Sequence, residues 1–396
     1  MDAWLNEWAQ LLFRWVHVLA AIAWIGHAFF FHSMERALRP PEVEGVDPDV
    51  HGELWMVHGG GFFRMQKTRV LPPVFTGHLH WFKYEALFTW ISGFLLLVLL
   101  YYVNHAIYMV PRVDGVSSGM AVGIGLATLV GGWAFYDFLW AGPVAKASKT
   151  AAAVLTVLMI ACTGVALTFL LSGRAAFLHT GALLGTLMTA NVWMRIIPGS
   201  KKMVAALEKG EEPDLRLGAV GHQRSVHNGY MHFPIVVLMI SNHYAFLTDG
   251  PMSSVVLLLM LGLGAAVRQL FYDGWDAHIA VKGYVGAAAV ALLALTFPSR
   301  PATVASTGDA PTFEEVRQIV DRRCVACHAK EPTHAAFTAP PKNLVLEADA
   351  TILANRELIH TQAVVTKVMP LGNLTKMTDE ERAILDAWHA AGSPGP

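Results

Sequence analysis

Near the C-terminus the chain reads Cys324-Val-Ala-Cys327-His328. Two thiols three positions apart can each close a thioether onto a porphyrin vinyl group, and the adjacent imidazole can ligate the iron. Cys-x-x-Cys-His is accordingly the attachment pattern of a c-type haem, with Cys324 and Cys327 as the covalent anchors and His328 as an axial ligand. A zinc site would need a second pair of thiols, and the remaining cysteine is Cys162, alone in an apolar segment. The second axial ligand is expected from far downstream, where a methionine would raise the reduction potential. Met369 lies in a turn-rich stretch, Met369-Pro-Leu-Gly-Asn373, from which a side chain can project, and is the expected ligand. Met377 directly precedes Thr378-Asp-Glu-Glu381, the pattern of a capped helix start, and is expected to pack beside the haem.

A second set of residues is notable for where it stands. Ionisable side chains inside long apolar segments are costly and are functional candidates by default. Toward one face come His17, His105, His179 and His243, on four different segments. They are expected at similar depth, where they could hold a b-type haem that relays electrons to the haem c, with His17 the leading ligand. Toward the other face come Trp24, His27, Trp133, Asp137, Asn191, Arg195, His227, Asn228, His232, Arg268 and Asp273. Cations, amides, bases and aromatic faces together suit a small planar polar anion.

The elements that must position these groups follow from composition. Of 396 residues, 54% are apolar and 15% charged, against roughly 25% charged in ordinary globular chains. Residues 299–396 hold ten of the 29 Lys/Arg and twelve of the 30 Asp/Glu, so the preceding part is charge-poor. Eight apolar segments have the length of membrane helices, at 10–32, 84–108, 119–141, 150–171, 175–197, 229–247, 252–271 and 278–298. The odd-numbered loops and the segment ends beside them carry sixteen Lys/Arg, and the even-numbered loops only Arg112 and Arg174. Under the positive-inside rule the odd loops face the cytoplasm, and both termini lie on the opposite side. A net charge of −1 excludes a nucleic-acid binder built on bulk positive charge. Gly59-Gly60-Gly61 is read as following no strand and lacks the Gly-Lys-Ser/Thr of a phosphate loop. A Pro/Ser/Thr/Gly-rich stretch then leads to Thr312-Phe-Glu-Glu315, a capping box that opens an amphipathic helix before the Cys pair. The expected architecture is all-α: a polytopic membrane bundle over 1–298, a linker over 299–311, and a small all-α domain over 312–396.

Residues 312–391 resemble a class I cytochrome c. Four further segments carry a wider resemblance: His58-Gly-Gly-Gly-Phe62, Leu79-His-Trp-Phe-Lys-Tyr-Glu-Ala86 with Thr89-Trp-Ile-Ser-Gly93, Arg224-Ser-Val-His-Asn-Gly-Tyr230, and Met239-Ile-Ser-Asn-His-Tyr244. Together they resemble the bacterial membrane-bound urate oxidases (urate hydroxylases), eight-helix proteins with a C-terminal cytochrome c. The resemblance implies oxidation of urate to 5-hydroxyisourate with water as oxygen source, electrons leaving through haem c to a soluble cytochrome c or a terminal oxidase. It also implies a multi-pass protein of the bacterial inner membrane, in contact with lipid, with its N-terminus and cytochrome domain periplasmic. For a urate anion, Arg195 and Arg268 are expected to hold the charge, Asn191 or Asn228 to read the amide edge, and His227 or His232 to take the proton. His227 is favoured because it lies inside the Arg224–Tyr230 segment. Two readings of other classes stand beside this one: a quinol-linked electron carrier, and a transporter or metal-handling module with a haem c sensor.

The orientation is tested by labelling. Single cysteines at Pro41 or Gly210 should resist an impermeant thiol reagent applied to intact cells, and cysteines at Gly115 or Gly250 should react. The opposite pattern would invert the bundle.

Overall fold

The computed structural model of the chain describes residues 3–41, 49–68, 78–109, 115–273, 278–296, 310–334, 337 and 339–396; nearly all of the expected linker lies outside these. In chain order the first part contains α1 (Ala3–Ala37), α2 (Tyr84–Leu97, prolonged by a π turn to Tyr102), α3 (His105–Tyr108), α4 (Ser118–Ala141), α5 (Pro143–Ala147), α6 (Lys149–Leu170) and α7 (Gly173–Ala190). A π turn, Asn191–Ile196, carries α7 into α8 (Ile197–Glu208), followed by α9 (Leu215–Ser241), α10 (Ala245–Thr248), α11 (Ser253–Asp273) and α12 (Ile279–Thr296). Local chemistry sets the starts: Ser117 Oγ accepts from the Met120 amide and Ser148 Oγ from the Ala151 amide, both at 3.1 Å, the roles of N-cap residues.

Among the described residues seven helices are long and apolar enough to cross a membrane, and the expected sixth span is not one of them. Instead of a segment at 229–247, the chain forms the 27-residue α9, which carries Arg224, His227, Asn228 and His232 along its middle. A helix this polar is stable at the centre of a bundle, and α9 packs between α7 and α11. The span through α7 and α8 is 72% buried, whereas the spans of α1 and α12 are 0% and 6% buried, so α7 and α9 form the axis and α1 and α12 the periphery. Helices α9 and α11 touch backbone to backbone: a Cβ on Gly264 would lie 2.6 Å from the nitrogen of Pro234. Pro234 has no amide hydrogen, so the α9 backbone has no donor to lose at that contact.

Between α1 and α2 the chain forms an antiparallel hairpin, β1 (Val50–His58) and β2 (Gly61–Thr68), where no strand was expected. Gly59 and Gly60 have φ of +57° and +80°, the two-residue turn that glycines make cheaply, and this accounts for the glycine run. The hairpin is tied to the end of α1 by paired backbone bonds between Arg39 and Glu53, at 2.7 and 2.9 Å.

The C-terminal unit contains α13 (Phe313–Arg323), α14 (Val325–His328), α15 (Asp349–Ala354), α16 (Arg356–Ile359) and α17 (Asp379–Ala390). Both expected capping boxes form, Thr312 with Glu315 and Thr378 with Glu381. Phe313, Val316, Ile319, Val320, Leu385 and Trp388 make the core, with Met377 among them. The turn Leu371–Asn373 lies against α3, a Cβ on Gly372 being 3.7 Å from the carbonyl of Ile107. The unit therefore meets the bundle at its α2–α4 end.

The tight α9–α11 crossing makes a prediction. Gly264→Ala should lower the thermal midpoint of the detergent-solubilised protein, overpacking costing about 1–3 kcal/mol. Gly283→Ala, where a Cβ meets nothing within 4 Å, should leave it unchanged or slightly higher.

Candidate functional site

Residues four apart on a helix share a face, so Arg224, Asn228 and His232 form one ridge along α9, with His227 on its flank. All three are buried, at 1%, 5% and 3% exposure. The ridge faces the π turn after α7, whose first residue is the fully buried Asn191. Such turns shift the register of a helix, and they recur at functional sites. Helix α4 contributes Tyr136 and Asp137, and α11 contributes Arg268.

Two knots form on the ridge. In the first, Asp137 accepts from Arg195, through Nε at 2.8 Å and through Nη2, and from Arg224 Nη2 at 3.0 Å. The Arg224 guanidinium also lies 4.7 Å from the centre of the Tyr136 ring. Asn191 Nδ2 donates to the Tyr136 hydroxyl at 3.0 Å and to Asn228 Oδ1 at 2.9 Å, and the Tyr136 oxygen is 2.8 Å from His227 Nδ1. His227 packs against Trp140, ring centres 4.2 Å apart. In the second knot His232 stands between the edges of Trp24 and Phe29. Arg268 lies over Tyr230 and Tyr272 and donates through Nη1 to Gln269 at 3.0 Å.

Within this ridge five buried polar atoms have no partner among the described residues: Asn191 Oδ1, Arg224 Nη1, both ring nitrogens of His232, and Arg268 Nε. Leaving a buried donor or acceptor unpaired costs about 1–3 kcal/mol each. Such open donors and acceptors are what a polar ligand or ordered water would satisfy.

All six residues expected to be catalytic lie here. Arg195 gives two of its nitrogens to Asp137 and is half-exposed. Arg224 also bonds Asp137 but is fully buried, with Nη1 left without a partner among the described residues. It had counted as a loop charge because α9 was expected to start after it; the segment Arg224–Tyr230 was the signal available. Tyr136 was not anticipated either, since one aromatic ring in an apolar helix reads as packing.

The four histidines of the other layer are not brought together. His17 Nδ1 donates to the Thr89 carbonyl, 2.8 Å away, and packs on Gly93. His179 is fully buried with both nitrogens engaged, by Ala175 O at 2.7 Å and the Tyr102 hydroxyl at 3.1 Å. Gly93 and Tyr102 are about 14 Å apart along the helix, so these two rings do not share a depth. His105 belongs to the short α3, where it meets Ser118 Oγ at 2.7 Å, and His243 lies exposed beyond the end of α9.

The C-terminal unit fits a covalent haem. His328 Nδ1 donates to the carbonyl of Leu344 at 3.0 Å, which orients the ring and leaves Nε2 free for an iron. Burial pushes the Cys324 thiol up to about 12, so it is held as a neutral thiol. Met369 is half-buried, and its carbonyl accepts from Arg382 Nη1 at 2.8 Å, which ties the methionine turn to α17. Met377 is 3% exposed within the core.

Fold and site together define a helical bundle of membrane-crossing length around a buried, polar, incompletely satisfied ridge. Comparison with known families sharpens this: residues 3–298 match the family described as urate oxidase N-terminal, and the chain belongs to it. No characterised protein and no solved structure matched the chain.

The two methionines separate cleanly. Met369→Ala should lower the haem reduction potential and abolish a methionine–iron charge-transfer band. Met377→Ala should keep the band and instead destabilise the unit by about 2–5 kcal/mol in denaturant titrations.

Proposed function

We propose that this chain is a membrane urate hydroxylase that passes electrons to its own haem c. The observation that carries the reading is the set of unpaired buried atoms on the α9 ridge, in a chain of the urate oxidase N-terminal family. The reaction is urate + H₂O → 5-hydroxyisourate + 2 H⁺ + 2 e⁻. The haem, held by Cys324, Cys327, His328 and Met369, would supply one-electron acceptance, with a soluble cytochrome c or a terminal oxidase beyond it.

Urate is a planar anion edged with carbonyls and N–H groups. Arg224 Nη1 and Arg268 Nε are open donors for its oxygens, and Asn191 Oδ1 is an open acceptor for a ring N–H. Charge-assisted bonds of this kind are the strong ones, and stronger still away from water. Asn228 holds Asn191, and Asp137 with Arg195 holds Arg224, so the contacting groups are fixed before substrate arrives. His227 and His232 are the groups able to take the protons released. The turn Leu371–Asn373, which follows Met369, abuts α3, so the C-terminal unit sits against the bundle of its own chain. With the Lys/Arg bias of the odd-numbered loops, that contact supports a multi-pass protein of the bacterial inner membrane, its C-terminal unit periplasmic.

The test is anaerobic addition of urate to membranes while the haem c absorption is followed. Urate should reduce the haem, and Arg224→Ala should lower kcat/KM by about 10- to 100-fold, the loss of one hydrogen bond to a charged group. Reduction by a quinol analogue but not by urate would make the protein an electron carrier. Reduction by neither would make it a transporter or sensor.

A further inference from the structure

The hydrogen bonds around Tyr136 have their directions fixed from one end. The carbonyl of Met188 can only accept, so the Asn228 atom 3.1 Å from it is the amide nitrogen. Asn228 Oδ1 therefore faces Asn191, and an oxygen in that position requires the Asn191 nitrogen opposite it, at 2.9 Å. The same nitrogen reaches the Tyr136 oxygen at 3.0 Å, and there the phenol accepts. Tyr136 is fully buried, and its own hydrogen must go to an acceptor. His227 Nδ1, 2.8 Å away, is the acceptor within reach. The neutral His227 ring then carries its hydrogen on Nε2, and its basic nitrogen is already engaged by the phenol.

We infer that Tyr136 is the group that takes the substrate proton, with His227 behind it as the proton store. The inference rests on the urate reading of the site and deepens it. The step balances without a further reactant: a ring N–H of urate breaks as its proton bonds to the Tyr136 oxygen, and the Tyr136 O–H breaks as its proton bonds to His227 Nδ1. Substrate has lost one proton and His227 has become an imidazolium; the phenol is restored. Arg224, 4.7 Å from the ring centre, favours the negative charge that builds on the phenol during transfer. The two residues that flank Tyr136, Arg224 and Asn191, each have an atom left open, which is where the substrate edge would bind. His227 is half-buried whereas His232 is 3% exposed, so His227 is the imidazole of the pair that can hand its proton on to water.

Two measurements test this on the full-length, haem-loaded protein. In the resting state, nitrogen NMR of histidine-labelled protein, with the His227 signals identified by their loss in His227→Gln, should show the Nε2–H tautomer. An Nδ1–H tautomer would overturn the relay whatever the substrate is, so this result is independent of urate oxidation. In turnover, Tyr136→Phe should lower kcat for urate by about 10²- to 10⁴-fold, as loss of a general base does, with KM changed less than threefold. Replacing Tyr136 by 3-fluorotyrosine, a more acidic phenol of nearly the same shape, should restore turnover and shift a limb of the kcat–pH profile to lower pH. A Tyr136→Phe enzyme within threefold of the parent kcat, or a fluorotyrosine profile that does not move, would reduce Tyr136 to packing. A parent enzyme that never oxidises urate but shows the Nε2–H ring would instead remove the urate reading and keep the hydrogen-bond assignment.

Discussion

One carboxylate organises the bundle's interior. Asp137 is shared between two guanidiniums, Arg195 from the π turn and Arg224 from the middle of α9, and it leaves the group with one positive charge in excess. Ion pairs taken out of water gain little net stability, because desolvation offsets most of the attraction. Breaking one is another matter, since removing a partner strands a buried charge at about 3–5 kcal/mol. The triad therefore acts less as glue than as a register pin. It fixes how α4, the π turn and α9 meet, and it holds the fully buried Arg224 with one nitrogen unused.

From that pin the remaining polar contacts run along α9. Asn228 and Asn191 bond to each other and, at the far end, to a backbone carbonyl of α7 that cannot move independently. A chain of bonds with one immovable end has no rotational choices left, so every amide and hydroxyl in it has a defined direction. Apolar packing keeps it dry: Met188, Leu187, Leu184 and Tyr136 belong to one continuous core around α7. Groups preorganised in this way need not reorient when charge develops, which is the condition for electrostatic catalysis.

The C-terminal unit solves a different problem. Its described residues give it a small core, and a covalently held porphyrin would add apolar contacts that so short a chain lacks. Its helices are joined by buried ionic and polar ties. Arg323 bonds both oxygens of Glu381 and the Thr375 carbonyl, and Arg382 bonds the carbonyls of Ala363 and Met369. The segment from Met369 to Met377 is thereby fastened to α13 and α17 at several points, although it contains little regular structure of its own. Its Leu371–Asn373 turn is also the part that meets the bundle.

The sequence by itself determined what depends on local pattern. Apolar length and charge scarcity marked the membrane-crossing helices, spacing marked Cys324, Cys327 and His328, and the Thr-x-x-Glu pairs marked both capped helices. Those signals are short-range, carried by residues within a turn or two of one another. The tertiary structure alone decided which polar residues meet. Arg195 and Arg224 look alike in sequence and both bond Asp137 on α4, 58 and 87 positions away, yet only Arg224 is fully buried with a nitrogen left without a partner. Likewise four histidines read as one layer separate once α2 breaks after Tyr102 and α9 ends before His243. Helix ends, register at a π turn and the pairing of distant charges are settled by packing between helices, and no local pattern encodes them.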